Sequence, residues 1–320
     1  MNVENLEGSN FKDALFGNDQ NNILTGLKGN DAFWPQSGQD RLHGGDGDDI
    51  FYLTSGSDYA FGNDGTDTVT YQQASTGIGV RLDGQDNWGE AADDTFSSIE
   101  IFLGSNYNDV FVGDNQDNEF HGNDGDDIFW GANGNDIFYG NQGADKYHGG
   151  KGIDTISYRD SSGFIGIRLD NADVWGMAQG EIFTSIENIV GSRFNDHLIG
   201  NIDDNILVGG AGNDFIYGSD VNDTIYPGTG IDTVAGQAGC DSFVIVPTDK
   251  TTIRDFGRGC ETETIDLSQF NINYINPADF FTYNVTYNTS GLTAYIAIDT
   301  SNIEIELSES FSLELNHFVF

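Results

Sequence analysis

Sixteen aspartates recur at one point of a nine-residue pattern, so the first chemistry this chain offers is a row of carboxylates on a periodic backbone. Residues 122–157 show the pattern at its clearest, as GNDGDDIFW, GANGNDIFY, GNQGADKYH and GGKGIDTIS. Each unit has glycine first and fourth, aspartate sixth and an apolar residue eighth. The same frame gives 19 units in three runs, from Gly8 to Thr70, Gly104 to Ser157 and Gly191 to Val244. Asn22, Asn118 and Asn205 take the sixth position in the second unit of each run. Carboxylates beside glycine-rich turns, whose carbonyls are accessible, form the all-oxygen donor set that calcium accepts, about six to eight atoms at a time.

Those carboxylates need an element that repeats them in register. In the last three residues of each unit the side chains alternate, so the eighth residue points inward and the seventh and ninth outward. Leu15, Phe33, Phe51, Phe111, Phe129, Phe138, Ile156, Leu207 and Ile225 are therefore expected in a core. A longer repeat lies above the short one. Tyr71 and Ile99-Glu100 recur 87 residues on as Tyr158 and Ile186-Glu187, and YQQASTGIGVRLDGQDNWGE matches YRDSSGFIGIRLDNADVWGM. The expected organisation is a run of solenoid segments: repeat block one at 1–70, spacer rungs at 71–103, block two at 104–157, spacer rungs at 158–190, block three at 191–246 and a β-rich cap at 247–320.

The nonapeptides resemble the repeats-in-toxin (RTX), or hemolysin-type calcium-binding, family, whose signature G-G-x-G-x-D-x-U-x marks a calcium-binding parallel β-helix. The resemblance implies an all-β fold, a parallel β-roll in which two units, eighteen residues, make one turn. Each ion would then bridge aspartates one turn apart. Glycine at position four joins aspartate at position six in 12 units, giving Asp31, Asp40, Asp49, Asp58, Asp67, Asp127, Asp136, Asp145, Asp154, Asp214, Asp232 and Asp241 as metal ligands. Pairing complete units gives about six calcium ions, with a seventh site between the units at 218 and 236, where Val221 replaces one glycine. The first two units of every run carry Phe11, Gln20, Tyr107, Gln116, Phe194 and Asp203 at position four and are expected to be structural rungs.

The formal charge of −40 argues against nucleic acid or an anionic membrane as partner. It also means that the sixth-position carboxylates repel one another until counterions arrive. No apolar run is long enough for a membrane span. The amino terminus MNVENLEGSNFKD lacks the basic and apolar stretches of a cleaved secretory signal. Its NVENLEGS matches the internal SIEIFLGS and SIENIVGS, which raises the expectation of a piece of a longer chain. Cys240 and Cys260 are read as two incidental thiols, with pairing as the alternative.

The tail DSFVIVPTDKTTIRDFGRGCETETIDLSQF is similar to the segment that follows the repeats in serralysin-type proteases, and NHFVF to their apolar ending. That resemblance implies a carboxyl-terminal region read by a type I exporter, and so a secreted, extracellular or cell-surface protein. GRGCETE and His317 depart from the family pattern. There is no HExxH zinc helix and no GxSxG nucleophile elbow.

Outward positions carry unusual side chains. Phe16, Trp34 and Tyr52 should form one ladder, and Trp130 should lie beside His148 with Lys146 adjacent. The opposite face should pair His121 with Tyr139, with Glu119 beside them. Trp34, Tyr52, Trp130 and Tyr139 are candidates for a sugar-stacking platform; the alternative is cross-rung pairing for stability. A catalytic reading takes His121 as base and Tyr139 as acid, with Lys146 or Arg168 steadying a uronate and His148 nearby. The expectation is a calcium-folded binding protein for polysaccharide or a cell surface; the alternatives are a uronan epimerase or lyase built on the roll, or the RTX part of a larger enzyme.

Overall fold

A computed structural model describes residues 4–170, 174–246, 250–256, 260, 263–268, 285–287, 293–298, 301–307 and 318–319. It divides into two compact units. Unit 1 holds residues 1–154 and 180–186, and unit 2 holds 155–179 and 187–320. Each is a parallel β-solenoid of short strands, and the one short helix among the described residues is a 3₁₀ turn at Gly89–Ala91.

Strand length follows from the repeat. A three-residue stretch such as Ala14–Phe16 ends where the next unit's Gly17 begins a turn, and only its middle residue is buried. In unit 1 the inward residues Leu15, Phe33, Phe51 and Val69 stand opposite one another, and Val69, Phe102, Phe120 and Phe138 continue the sheet. The facing side comprises two sheets. One is centred on Leu6, Leu24, Leu42, Ala60 and Phe96; the other on Val80, Phe111, Phe129, Tyr147 and Phe183. In unit 2 one sheet runs through Ile156, Ile189, Leu207, Ile225, Phe243 and Ile265. The other runs through Ile167, Leu198, Ile216, Val234 and Ile253. Within the repeats the step is eighteen residues, and every core residue expected from the sequence is buried.

The turns explain the glycines. Gly29 at position four has φ +111°, and a Cβ there would lie 2.6 Å from the Phe11 carbonyl carbon one turn away. None of Phe11, Gln20, Tyr107, Gln116, Phe194, Asp203 and Val221 has a positive φ, so the units that lack this glycine turn differently.

Two expectations about the tail meet the structure differently. The cysteines are not incidental: Cys240 and Cys260 form a disulfide with Cα atoms 5.0 Å apart. Beyond the last repeat the register step lengthens to 22 residues, from Ser242 to Thr264, which brings Cys260 back beside the Cys240 turn. Strands Val285–Tyr287, Thr293–Ile298 and Ser301–Leu307 pair antiparallel, as a β-rich cap requires. Most of GRGCETE and residue 317 of the ending lie outside the described residues.

Candidate metal centres

The sixth-position aspartates apart from the half-buried Asp13 are buried, and they pair at one-turn intervals. The backbone N–H of each donates to Oδ1 of the next: Asp31 to Asp49 at 2.7 Å, Asp40 to Asp58 at 3.0 Å and Asp49 to Asp67 at 2.9 Å. Asp127 to Asp145 and Asp136 to Asp154 repeat this at 2.8 Å, and Asp214 to Asp232 and Asp223 to Asp241 at 2.9 Å. The second oxygen is a different matter. Oδ2 of Asp31, Asp40, Asp49, Asp58, Asp67, Asp127, Asp136, Asp214, Asp223 and Asp241 is buried with no hydrogen-bond donor. Burial raises the carboxyl pKa to about 8 at Asp127 and about 7 at Asp49, Asp58, Asp136, Asp214 and Asp223. Asp40, Asp67, Asp145 and Asp241 are raised to about 6 for the same reason, and Asp31 is raised as well. An anionic oxygen buried without a donor is costly, and the cost is met by taking up a proton, which the raised pKa values express, or by a coordinated cation.

The residues fit calcium. A methyl group on Gly26 would collide with Asp31 Oδ2 and with the Gly44 carbonyl oxygen, so oxygens of both kinds converge where only glycine leaves room. Gly44 repeats this with Asp49 and Gly62, and Gly131 with Asp136 and Gly149. Among the described residues no group of three or more His, Cys, Asp or Glu side chains could hold a metal. Carboxylate oxygens beside main-chain carbonyls make an all-oxygen set, which suits calcium.

The incomplete units carry their own donors instead. Ser9, Ser105 and Ser192 hydroxyls donate to Asp13, Asp109 and Asp196 at 2.9, 2.7 and 2.9 Å. Asn22, Asn118 and Asn205 accept backbone N–H groups of Asn18, Asp114 and Asn201 at 2.8, 3.1 and 2.8 Å. Asp145, expected as a plain ligand, differs from its neighbours: Tyr147 replaces the usual inward phenylalanine and its hydroxyl donates to Asp145 Oδ2 at 3.0 Å. Asp223 behaves as a complete unit does, although Val221 replaces its glycine.

Sequence reading missed carboxylates in the spacers. Asp58 N–H donates to Asp94 Oδ1 at 2.7 Å and Asp67 N–H to Glu100 Oε2 at 2.8 Å, so the row continues across the spacer. Tyr71 donates to Asp94 Oδ2 at 2.6 Å. Glu181 is buried beside Asp145, and burial holds its carboxyl well above the usual range. The signal was present: Asp94, Glu100 and Glu181 each stand two residues before a phenylalanine (Phe96, Phe102 and Phe183) that points inward.

The outward aromatics are arranged differently from a platform. Phe16, Trp34 and Tyr52 stack face to face at 4.6 Å between centroids, tilted by 8° and 7°, so both faces of Trp34 are covered. Tyr139 stacks on His121 at 3.8 Å and is only 6% exposed; the expected outward ring is covered by its neighbours. His121 Nε2 also bonds Glu119 at 2.7 Å. Trp130 stacks on His148 at 3.9 Å yet stays 47% exposed. Lys146 shares the His148 strand, and that strand lies in a different sheet from His121 and Tyr139. His121 and Tyr139 are thus brought together on one sheet and Lys146 and His148 on another, and Arg168 is engaged with Asp170 at 2.9 Å.

Residues 7–42, 34–69, 103–138, 121–156, 184–216 and 199–234 match the profile of the RTX calcium-binding nonapeptide repeat, and together they cover more than half of the chain. No curated protein matches. Among solved structures, 71% of the chain is similar to the crystal structure of extracellular lipase LipA from Serratia marcescens at 16% identity, with a TM-score of 0.33. The chain covers 41% of that lipase, less than half its length.

Proposed function

Because this chain belongs to the RTX calcium-binding nonapeptide repeat family, we propose that it is an extracellular protein, exported by a type I system, that folds on calcium and binds polysaccharide or a cell surface. The observation that carries the reading is the row of buried Asp Oδ2 atoms without donors. Calcium bound there neutralises carboxylates that otherwise repel across each turn. Asp31, Asp49 and Asp67, Asp40 and Asp58, Asp127 and Asp145, Asp136 and Asp154, and Asp214 and Asp232 hold about six ions, and Asp223 with Asp241 a seventh. In a low-calcium cell the chain stays unfolded and fit for export; outside, the ions complete it. The Cys240–Cys260 disulfide supports the oxidising side of that passage. The exposed Trp130 supports a binding role. A uronan epimerase or lyase would need His121, Tyr139 and Lys146 around one sugar, and these are divided between two sheets.

The test is a glycan array and whole-cell binding with the chain in calcium and in chelator. Calcium-dependent retention on a glycan or cell surface is expected; retention on none overturns the binding role and leaves only the calcium-folded roll.

A further inference from the structure

The ninth-position row of the second facing sheet of unit 1 reads Arg81, Val112, Trp130 and His148 on successive strands. In the Phe16–Trp34–Tyr52 ladder every rung carries a ring, and the rings cover one another. Here the rung before Trp130 carries only Val112. One indole face rests on His148, and the other looks across Val112 toward Arg81, two rungs or roughly 9–10 Å away. Flat groups in contact lie about 3.5–4 Å apart, so the gap accepts one ring between two walls. A groove of about 670 Å³ lined by these residues opens at this place, within the range of small-ligand sites.

The far wall is a fork. Arg81 Nε donates to Asp83 Oδ1 at 3.1 Å and its Nη2 to Asp83 Oδ2 at 2.6 Å. The pair is internally neutral and presents both spare N–H donors and carboxylate lone pairs. The whole chain carries −40, of which about six calcium ions would offset only about a dozen. That field opposes a polyanion. An uncharged sugar ring suits the groove, with an apolar C–H face for the indole and a rim of hydroxyls for a fork that both donates and accepts.

We propose that the slot over Val112, between the open face of Trp130 and the Arg81–Asp83 pair, binds one uncharged pyranose unit of a neutral polysaccharide. The proposal rests on the surface-binding reading above and narrows it to neutral sugars. The frame recurs 87 residues later in unit 2, where Arg168, Ile199 and Tyr217 stand in the same register and Arg168 pairs with Asp170. Tyrosine offers less ring face than tryptophan, so this second slot is the weaker of the two.

The test is saturation-transfer NMR on the full calcium-loaded chain, with methyl glycosides of glucose, mannose and galactose as neutral probes and methyl glucuronide as the anionic one. At least one neutral glycoside should receive saturation on its C–H face. Trp130→Ala should weaken that binding about tenfold, and Val112→Trp, which fills the slot, should weaken it further. Circular dichroism in calcium checks that both variants fold, and either one alone decides the question. No transfer to any neutral glycoside, preference for the glucuronide, or unchanged binding in a folded variant overturns the slot. Wild-type chain and Val112→Trp retained equally on polysaccharide beads also overturns the slot but leaves the surface-binding reading standing; retention of neither overturns both.

Discussion

Asp31 donates its backbone N–H to Oδ1 of Asp49 at 2.7 Å, and Oδ2 of both residues is left buried without a donor. One oxygen of each carboxylate thus ties successive turns together, and the other is the one proposed to meet calcium. A second ladder runs beside it at position five, where Asn30 Oδ1 accepts from Asp48 N–H at 3.1 Å and Asn135 Oδ1 from Ile153 N–H at 2.9 Å. The turns are therefore stitched on the exposed side as well, by Asn and Asp side chains at position five such as Asp48 and Asp126.

Calcium should control folding. Ions that bind only the folded state stabilise it by mass action, about 2.7 kcal/mol per site at a hundredfold excess over Kd. Far-ultraviolet circular dichroism should change from mostly disordered to β-rich on adding calcium. An identical spectrum and melting point in chelator would refute this.

Calcium sites should be graded by what already satisfies each carboxylate. Asp49→Ala and Asp127→Ala should each remove calcium capacity, whereas Asp109→Ala and Asn118→Ala should leave the stoichiometry unchanged. Tyr147→Phe should strengthen binding at Asp127 and Asp145 by removing the hydroxyl on Asp145 Oδ2. Titration calorimetry that finds equal losses in all four alanine variants would contradict the assignment.

The pH dependence should invert with calcium. Carboxyls raised to about 7 at Asp49 and about 8 at Asp127 bind more protons when folded than when unfolded. In chelator their contribution to stability is present below about pH 4 and lost as pH rises through 6 to 8. With calcium, stability should rise over the same range as the ligands ionise. Thermal melts at pH 5 and 7.5, with and without calcium, check the crossing.

Breaking the disulfide should loosen the junction of block three with the tail. Closing a loop of 20 residues is worth about 3 kcal/mol. Cys240→Ser or reduction should lower the melting temperature and expose the segment around Thr264 to proteolysis, while calcium binding at Asp31–Asp67 is unchanged. Equal melting of oxidised and reduced protein would show the bond to be idle.

Trp34→Ala should cost stability and leave glycan retention intact, because Phe16 and Tyr52 cover both faces of the ring. The loss expected is about 1 kcal/mol beyond burial. Weaker glycan retention in a folded Trp34→Ala would put the ladder back among the ligand contacts.

The nonapeptide determined most of this from sequence alone. A glycine turn followed by an alternating strand is a local pattern, so the inward residues and the aspartate row were legible at Phe33, Phe51 and Asp49 without any tertiary information, while the eighteen-residue step followed from the resemblance to the RTX family. The repeat ends where such legibility ends. Asp58 finds its next carboxylate at Asp94, 36 residues on, and Cys240 finds Cys260, because the lengths of the spacer and the tail, and not a repeat, set the register there. Sequence likewise names the outward rings but not which faces stay open. That depends on the side chain one rung away, a ring beside Trp34 and only Val112 beside Trp130, and on how closely the strands stack them.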